Sequence, residues 1–162
     1  MKNLILIRHA KSDWSNIGQK DYDRELNERG LRDAPMMGKR LAQRDLNIDL
    51  VIASTAKRAA QTASLIATEI NYPLDKIQWE DKLYHAQPPI IQDIILETDD
   101  SFQSIIVVCH NNGITDFANS LAGVIIDNMP TCAIMAFNIE TSSWHDFVNA
   151  KKSLLFYDYP KL

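Results

Sequence analysis

A three-layer α/β sandwich on a mostly parallel central sheet is the fold class that this sequence predicts, and three observations carry the prediction. The runs LILI (residues 4–7), DLVIAS (49–54) and SIIVVCH (104–110) offer apolar side chains to both faces, as strands of a helix-covered parallel sheet must. Stretches of helical periodicity lie between them. The resulting order, β-α-β-α-β-α-β-α-β-β, is that of an α/β layer architecture.

Each element has its own signal. Residues 4–7 form the first strand. Residues 10–26 are polar and aperiodic, which predicts a long loop. LNERG then opens a helix with Asn27 as its N-cap, and Leu31, Ala34, Met37, Leu41 and Ala42 form its apolar stripe. Pro35 lies inside that stripe, which predicts a kink or break near Leu31. After the strand at 49–54, KRAAQTASLIATEI is a helix with Ala59, Ala63, Ile66, Ala67 and Ile70 on one face. IQWED is a short strand. PPIIQDIILETDD begins with prolines suited to a helix first turn. The third buried strand, 104–110, leads into the helix NGITDFANSLAG, which should end near Gly123. TCAIMAFNIE and SWHDFVN read as paired strands joined at 141–143, and SLLFYDY as a last strand or a packed tail.

The 162 residues favour a single domain over 1–162, and 46 % hydrophobic content is enough for a real core. The net charge of −4 argues against a general nucleic-acid or anionic-membrane binder. An anion site must then be a local concentration of positive charge. Cys109 and Cys132 have neither metal-ligand spacing nor a disulfide framework and read as small buried hydrophobes. No run approaches the ~18 apolar residues of a membrane span. A soluble, cytoplasmic protein is expected, monomeric by default.

The chemistry collects where the buried strands end. Arg8 and His9 follow the first strand, Ser54 and Arg58 the second, and His110, Asn111 and Asn112 the third. In an open parallel sheet ligands bind beyond the carboxyl ends of the strands, so the three groups converge on one edge. Two guanidinium forks, two imidazoles and the helix start near Ala56 suit a phosphoryl group. An imidazole can attack phosphorus.

These residues resemble the histidine phosphatase superfamily. LIRHAKS is similar to its first signature, STAKRAAQTA to its second and VVCHNNGI to its third, while YDRELNERG matches the segment that opens its first helix. The small size and the DRxLNERG pattern resemble the phosphohistidine phosphatase (SixA-like) branch. The likeness runs from residue 4 to about 125. It implies a phosphoglycerate mutase-like fold. It also implies a phosphatase in which His9 is the nucleophile and Arg8, Arg58 and His110 clamp the transferred group. Water would then hydrolyse the phospho-His9 intermediate, with no metal or other cofactor. The ring nitrogen that does not attack should donate to a backbone carbonyl.

Blander readings hold elsewhere. Arg24, Arg29 and Arg32 sit in a mixed-charge region as solvated or salt-bridged side chains. Lys57 and His145 read as surface, and Ser54 as a cap for the helix that follows. Lys11, Ser12 and Asn16 lie in the loop over the site, and Ser12, Asn16 and Asn111 are candidate substrate contacts. One departure matters. Relatives place an acid in the stretch that reads KLYHAQ here, so His85 stands where that proton donor would be. Glu80 and Asp81 are near but out of register. Either His85 donates the proton, or there is no donor and labile N–P or aryl O–P bonds are preferred.

The expected partner is a phosphorylated substrate, either a phosphohistidine protein or a small phosphoester. A small-molecule phosphomonoesterase or mutase-like enzyme is the alternative within enzymes. A non-catalytic phosphate-binding module is the alternative from another class.

Overall fold

In the computed structural model, which describes residues 1–121, 123 and 125–162, one six-stranded sheet organises the chain. Its strands are β1 (Lys2–Arg8), β2 (Leu50–Ser54), β3 (Gln78–Glu80), β4 (Ser104–Cys109), β5 (Ile134–Glu140) and β6 (Lys151–Asp158), in the order β3-β2-β4-β1-β5-β6. The first four run parallel, and β5 and β6 are antiparallel additions at one side. Four helices connect them: α1 (Glu28–Ala42), α2 (Lys57–Glu69), α3 (Pro88–Leu96) and α4 (Gly113–Leu121).

The doubly apolar strands build two cores, one on each face. Leu4, Leu6, Ile52 and Val107 pack on Ile91 and Ile95 of α3 and on Ile114 and Phe117 of α4. Their alternating neighbours Ile5, Ile7, Ala53 and Val108 pack on Met37 and Leu41 of α1 and on Ala63 and Ile66 of α2. The three layers follow directly from this period of two. Cys109 and Cys132 are buried with free thiols, and burial pushes both thiols up to about 12. Among the described residues no helix is long and apolar enough to cross a membrane.

Several expectations change. The segment 143–149 is not a strand but a 3-10 helix, Trp144–Asn149, and β5 pairs with β6 instead. Trp144 and Phe147, three residues apart, are both buried, which is the spacing of a 3-10 turn rather than a strand. Ser143 caps the turn by accepting from the His145 amide. Helix α1 passes through Pro35 without a break. The carbonyl that loses its donor belongs to Leu31, which is half-exposed, so solvent can satisfy it. Leu31 and Ala42 therefore leave the expected stripe; Gly30, Asp33, Ala34, Met37, Gly38 and Leu41 form the buried face. Asn27 is the N-cap, accepting from the Gly30 amide at 2.9 Å. Helix α4 is described as Gly113–Leu121, and Ala122, just before the expected end near Gly123, lies outside the described residues.

The long loop is anchored rather than free. It contains a 3-10 turn, Asp21–Asp23, and a bridge between Ser12 and Leu26 ties its ends together. Two glycines permit close approaches at the site edge. A Cβ on Gly30 would lie 2.2 Å from the Lys11 carbonyl oxygen, and one on Gly113 would lie 1.9 Å from that of Ala86. A side chain at either position would push the loop, or the segment carrying His85, away from the strand ends.

Candidate active site

Register brings the chemistry together. Arg8 pairs with Cys109, so β1 and β4 end level and deliver His9 and His110 side by side, with ring centroids 5.1 Å apart. The His9 amide donates to the Cys109 carbonyl, which locks the two strand ends. Helix α2, following β2, projects Arg58 toward them. Its next turn holds the surroundings: Thr62 Oγ1 accepts from the Ala10 amide at 2.9 Å, and Gln61 accepts from the Leu26 amide at 2.8 Å. The Q-T pair of the second motif thus fixes both the residue after His9 and the end of the long loop.

The imidazole of His9 is held in one orientation. Its Nδ1 lies 2.8 Å from the Ala10 carbonyl oxygen, which accepts the proton. Nε2 is left with its lone pair directed toward Arg58, whose Nε lies 3.4 Å away. Burial lowers the His9 pKa to about 3, against the effect of the Ala10 contact; Arg58, Arg8 and Arg24 lower it further. His110 Nε2 contacts Ser54 Oγ at 2.8 Å. Burial, then His9 and Arg58, lower His110 to about 2. Ser54 is not the expected helix cap: Ala56 is the N-cap of α2 and no side chain caps it, and Ser54 Oγ instead accepts from the Ala56 amide at 3.3 Å and fixes His110. Arg8 donates through Nη1 to the Met129 carbonyl at 2.7 Å. Among the described residues Arg8 Nε and His110 Nδ1 are buried with no protein partner, so each is free to bond a water or a ligand.

A cavity of about 240 Å³ opens at this edge. Arg8, His9, Arg58, His110, His85, Ser12 and Asn111 all line it. Asn16 does not; it is exposed on the loop beyond the rim. Glu80 and Asp81 stay outside too, and Asp81 accepts from the Thr55 hydroxyl. His85 sits exposed at the rim with its ring 3.9 Å from that of Tyr84.

Sequence reasoning gave no role to Asp21 or Tyr84 and read Arg24 only as a solvated or salt-bridged side chain. Arg24 is buried and salt-bridged, donating to Asp21 and Ser12 and stacking 3.5 Å from the Trp14 ring. Asp21 accepts from Arg24, from Arg58 and from the Tyr84 hydroxyl. The available signal was DYDR, in which Asp21 stands one residue ahead of the quoted YDRELNERG segment. Lys11, Arg8, Arg24 and Arg58 face the cavity against one carboxylate, Asp21, so a chain of net charge −4 carries a cationic pocket. Among the described residues no group of three His, Cys, Asp or Glu side chains is placed to hold a metal ion.

The family model of the histidine phosphatase superfamily (branch 1) matches residues 4–83. An uncharacterised protein of Mycobacterium tuberculosis is 30 % identical over 165 residues, 96 % of this chain and 100 % of the relative. The chain belongs to the histidine phosphatase superfamily. Within the superfamily, the candidate phosphohistidine phosphatase SixA from Agrobacterium tumefaciens superposes with a TM-score of 0.84 at 25 % identity, covering 98 % of each chain. The mitochondrial serine/threonine-protein phosphatase Pgam5 of Drosophila ananassae is 38 % identical over 76 residues, 47 % of this chain. The chain spans only about a quarter of the length of that relative, 26 %.

Neutral histidines at the strand ends have a consequence for pH. Between their folded pKa values and the ordinary 6.5, the unfolded chain binds more protons than the native one, so acid favours unfolding. The urea midpoint should fall from pH 7 to pH 5, and Asp21, whose pKa is also lowered, adds to the loss only below about 4. In phosphate-free buffer the ring resonances of His9 and His110 should stay in the neutral form from pH 8 to pH 5. A titration of either ring with a midpoint near 6.5 would contradict the assignment.

Proposed function

We propose that this chain is a phosphatase that works through a covalent phosphohistidine on His9, with phosphohistidine in a protein as its substrate class. The observation that carries the reading is the fixed His9 ring, whose Nδ1 is spent on the Ala10 carbonyl while Nε2 faces the Arg58 guanidinium. A nucleophile beside a cation is unusual for a histidine unless an anion is to be placed between them. A phosphoryl group there meets Nε2 on one side and guanidinium donors on the others. The Nε2 lone pair forms a bond to phosphorus as the bond to the leaving group breaks. Arg8, Arg58 and His110 Nδ1 surround the equatorial oxygens and stabilise the charge on them, which is most of what phosphoryl transfer demands. These donors do the work for which other enzymes use a metal. Water then attacks phosphorus, Nε2 leaves with its lone pair, and inorganic phosphate is released.

The leaving group supports the substrate class. Among the described residues lining the cavity, Asp21 is the one carboxylate. Burial alone would raise its pKa, but the hydrogen bonds from Tyr84 and Arg24 and the charge of Arg58 hold it well below the usual carboxylate range. It therefore has no proton to give near neutrality. A phosphohistidine needs little help, because its imidazole can be protonated before it departs, whereas an alkoxide needs a general acid. The likeness to SixA points the same way. His85, at the rim, is the donor in this reading for poorer leaving groups. Small phosphomonoesters are the second reading, favoured by the open rim around His85.

Turnover of p-nitrophenyl phosphate in EDTA, blocked by vanadate, tests the activity. His9→Ala should lower it by several powers of ten while the protein stays folded. Retention of more than about a tenth of the wild-type rate would remove His9 as nucleophile. A folded wild-type protein that binds vanadate but turns over neither p-nitrophenyl phosphate nor a phosphohistidine protein is a phosphate-binding module instead.

The His85→Gln variant separates the two leaving-group classes. Alkyl-phosphate hydrolysis should fall by about 10²-fold or more, with p-nitrophenyl phosphate and phosphohistidine nearly untouched. Equal losses on all three, or none on any, would take His85 out of proton transfer.

A further inference from the structure

The 3-10 turn in the long loop does more than cover the cavity. Arg58 has five N–H donors in a planar fork. Nη1 donates to the Asp21 carbonyl oxygen at 2.7 Å, and Nη2 donates to Asp21 Oδ2 at 3.0 Å. Asp21 thus grips the far end of the guanidinium from both its backbone and its side chain. The Nε edge is left facing His9 Nε2, with the second N–H of Nη2 parallel to it. The other carboxylate oxygen, Oδ1, receives Arg24 Nε at 3.1 Å and Nη2 at 3.0 Å. Arg24 Nη1 goes to Ser12 Oγ. Tyr84 donates its hydroxyl to Oδ2 at 2.7 Å and so fixes the carboxylate from the segment that also carries His85.

We propose that Asp21 is a positioning residue. It holds Arg58 by the end of its fork so that the Nε–Nη2 edge is aimed at the phosphoryl group over His9, and it locks Arg24 to the same frame. A guanidinium on a flexible stem otherwise samples many rotamers, and its side-chain entropy must be lost again each time an anion binds. A carboxylate that is ionised throughout the working pH range removes that loss in advance. The alternative geometry, a carboxylate occupying the oxyanion site and competing with substrate, would put Asp21 on the Nε edge, where His9 stands instead.

This inference rests on the phosphoryl-binding reading, so the test measures oxyanion affinity, which does not depend on turnover. Vanadate binding is measured by calorimetry on the intact chain for wild type, Asp21→Asn, Arg58→Lys and the double variant, with near-UV circular dichroism as the control for folding. Asp21→Asn keeps the shape and one acceptor but loses the charge. It should weaken vanadate binding by about ten-fold, as Arg58→Lys should, and the double variant should bind no more weakly than Arg58→Lys alone, because the two residues act as one unit. Additive losses, unchanged affinity or tighter binding in a folded Asp21→Asn would overturn the proposal, the last by making Asp21 a competitor for the site. Should Asp21→Asn fail to fold, Tyr84→Phe carries the same test. It removes one donor to Asp21, and its loss, about two- to three-fold, must vanish in the Arg58→Lys background. If wild type binds vanadate in this pattern but shows no turnover, the proposed activity fails and the role of Asp21 stands. If wild type binds no vanadate, both fail together.

Discussion

The contact from His9 Nδ1 to the Ala10 carbonyl is the constraint on which the rest of the site depends. It settles where the one ring proton sits, and so which nitrogen has a free lone pair. For that contact to persist, Ala10 must be immobile. Its own amide is held by Thr62, whose hydroxyl in turn donates to the Arg58 carbonyl one helical turn back. His9 and Arg58 are therefore referenced to one another through backbone and a threonine rather than through flexible side chains. Beneath them, β1 is buried on both faces and paired on both edges, with β4 and β5 as neighbours. An imidazole at the end of such a strand has little freedom, which is what the proposed role of a nucleophile would demand.

The electrostatics are local. An anionic protein gathers four cationic side chains around one pocket and places one carboxylate among them. That carboxylate binds arginines on both of its oxygens and is thus the reverse of a proton donor. Burial keeps both imidazoles neutral in the absence of an anion. On the proposed function, a phosphoryl dianion would offset this positive charge and shift the protonation preferences of the groups around it.

Much of this was legible in the sequence where one physical requirement dominated. Strands β1, β2 and β4 announce themselves because burial on both faces admits only apolar residues, and a strand order with β4 and β1 adjacent puts His9, Arg58 and His110 together. The glycines of LNERG and NNGI are dictated by the carbonyls of Lys11 and Ala86 lying against them. Where residue type and spacing point different ways, the reading failed. Trp144, Phe147 and Val148 are strand-forming residue types, but the three-residue spacing of the two buried rings is that of a 3-10 turn. Pro35 predicts a kink or break because of its missing hydrogen bond, but the helix continues through it, and half-exposure of Leu31 makes the lost bond tolerable. Arg24 is salt-bridged, one of the two states expected of it, but its partner Asp21 carries no signal of its own, since three-residue spacing on a polar loop gives no hint that the loop folds back over the strand ends. Asn16 lies on that same loop, ahead of the turn at 21–23, exposed and outside the cavity lining.

The central claim is that His9 Nε2 carries the phosphoryl group in mid-reaction. Enzyme quenched with base during turnover and examined by phosphorus NMR and by tandem mass spectrometry tests it most directly. The account predicts a base-stable, acid-labile phosphate on His9, bonded to Nε2 and not to Nδ1. A phosphate on Nδ1, on His110 or on no residue at all while turnover proceeds would contradict it.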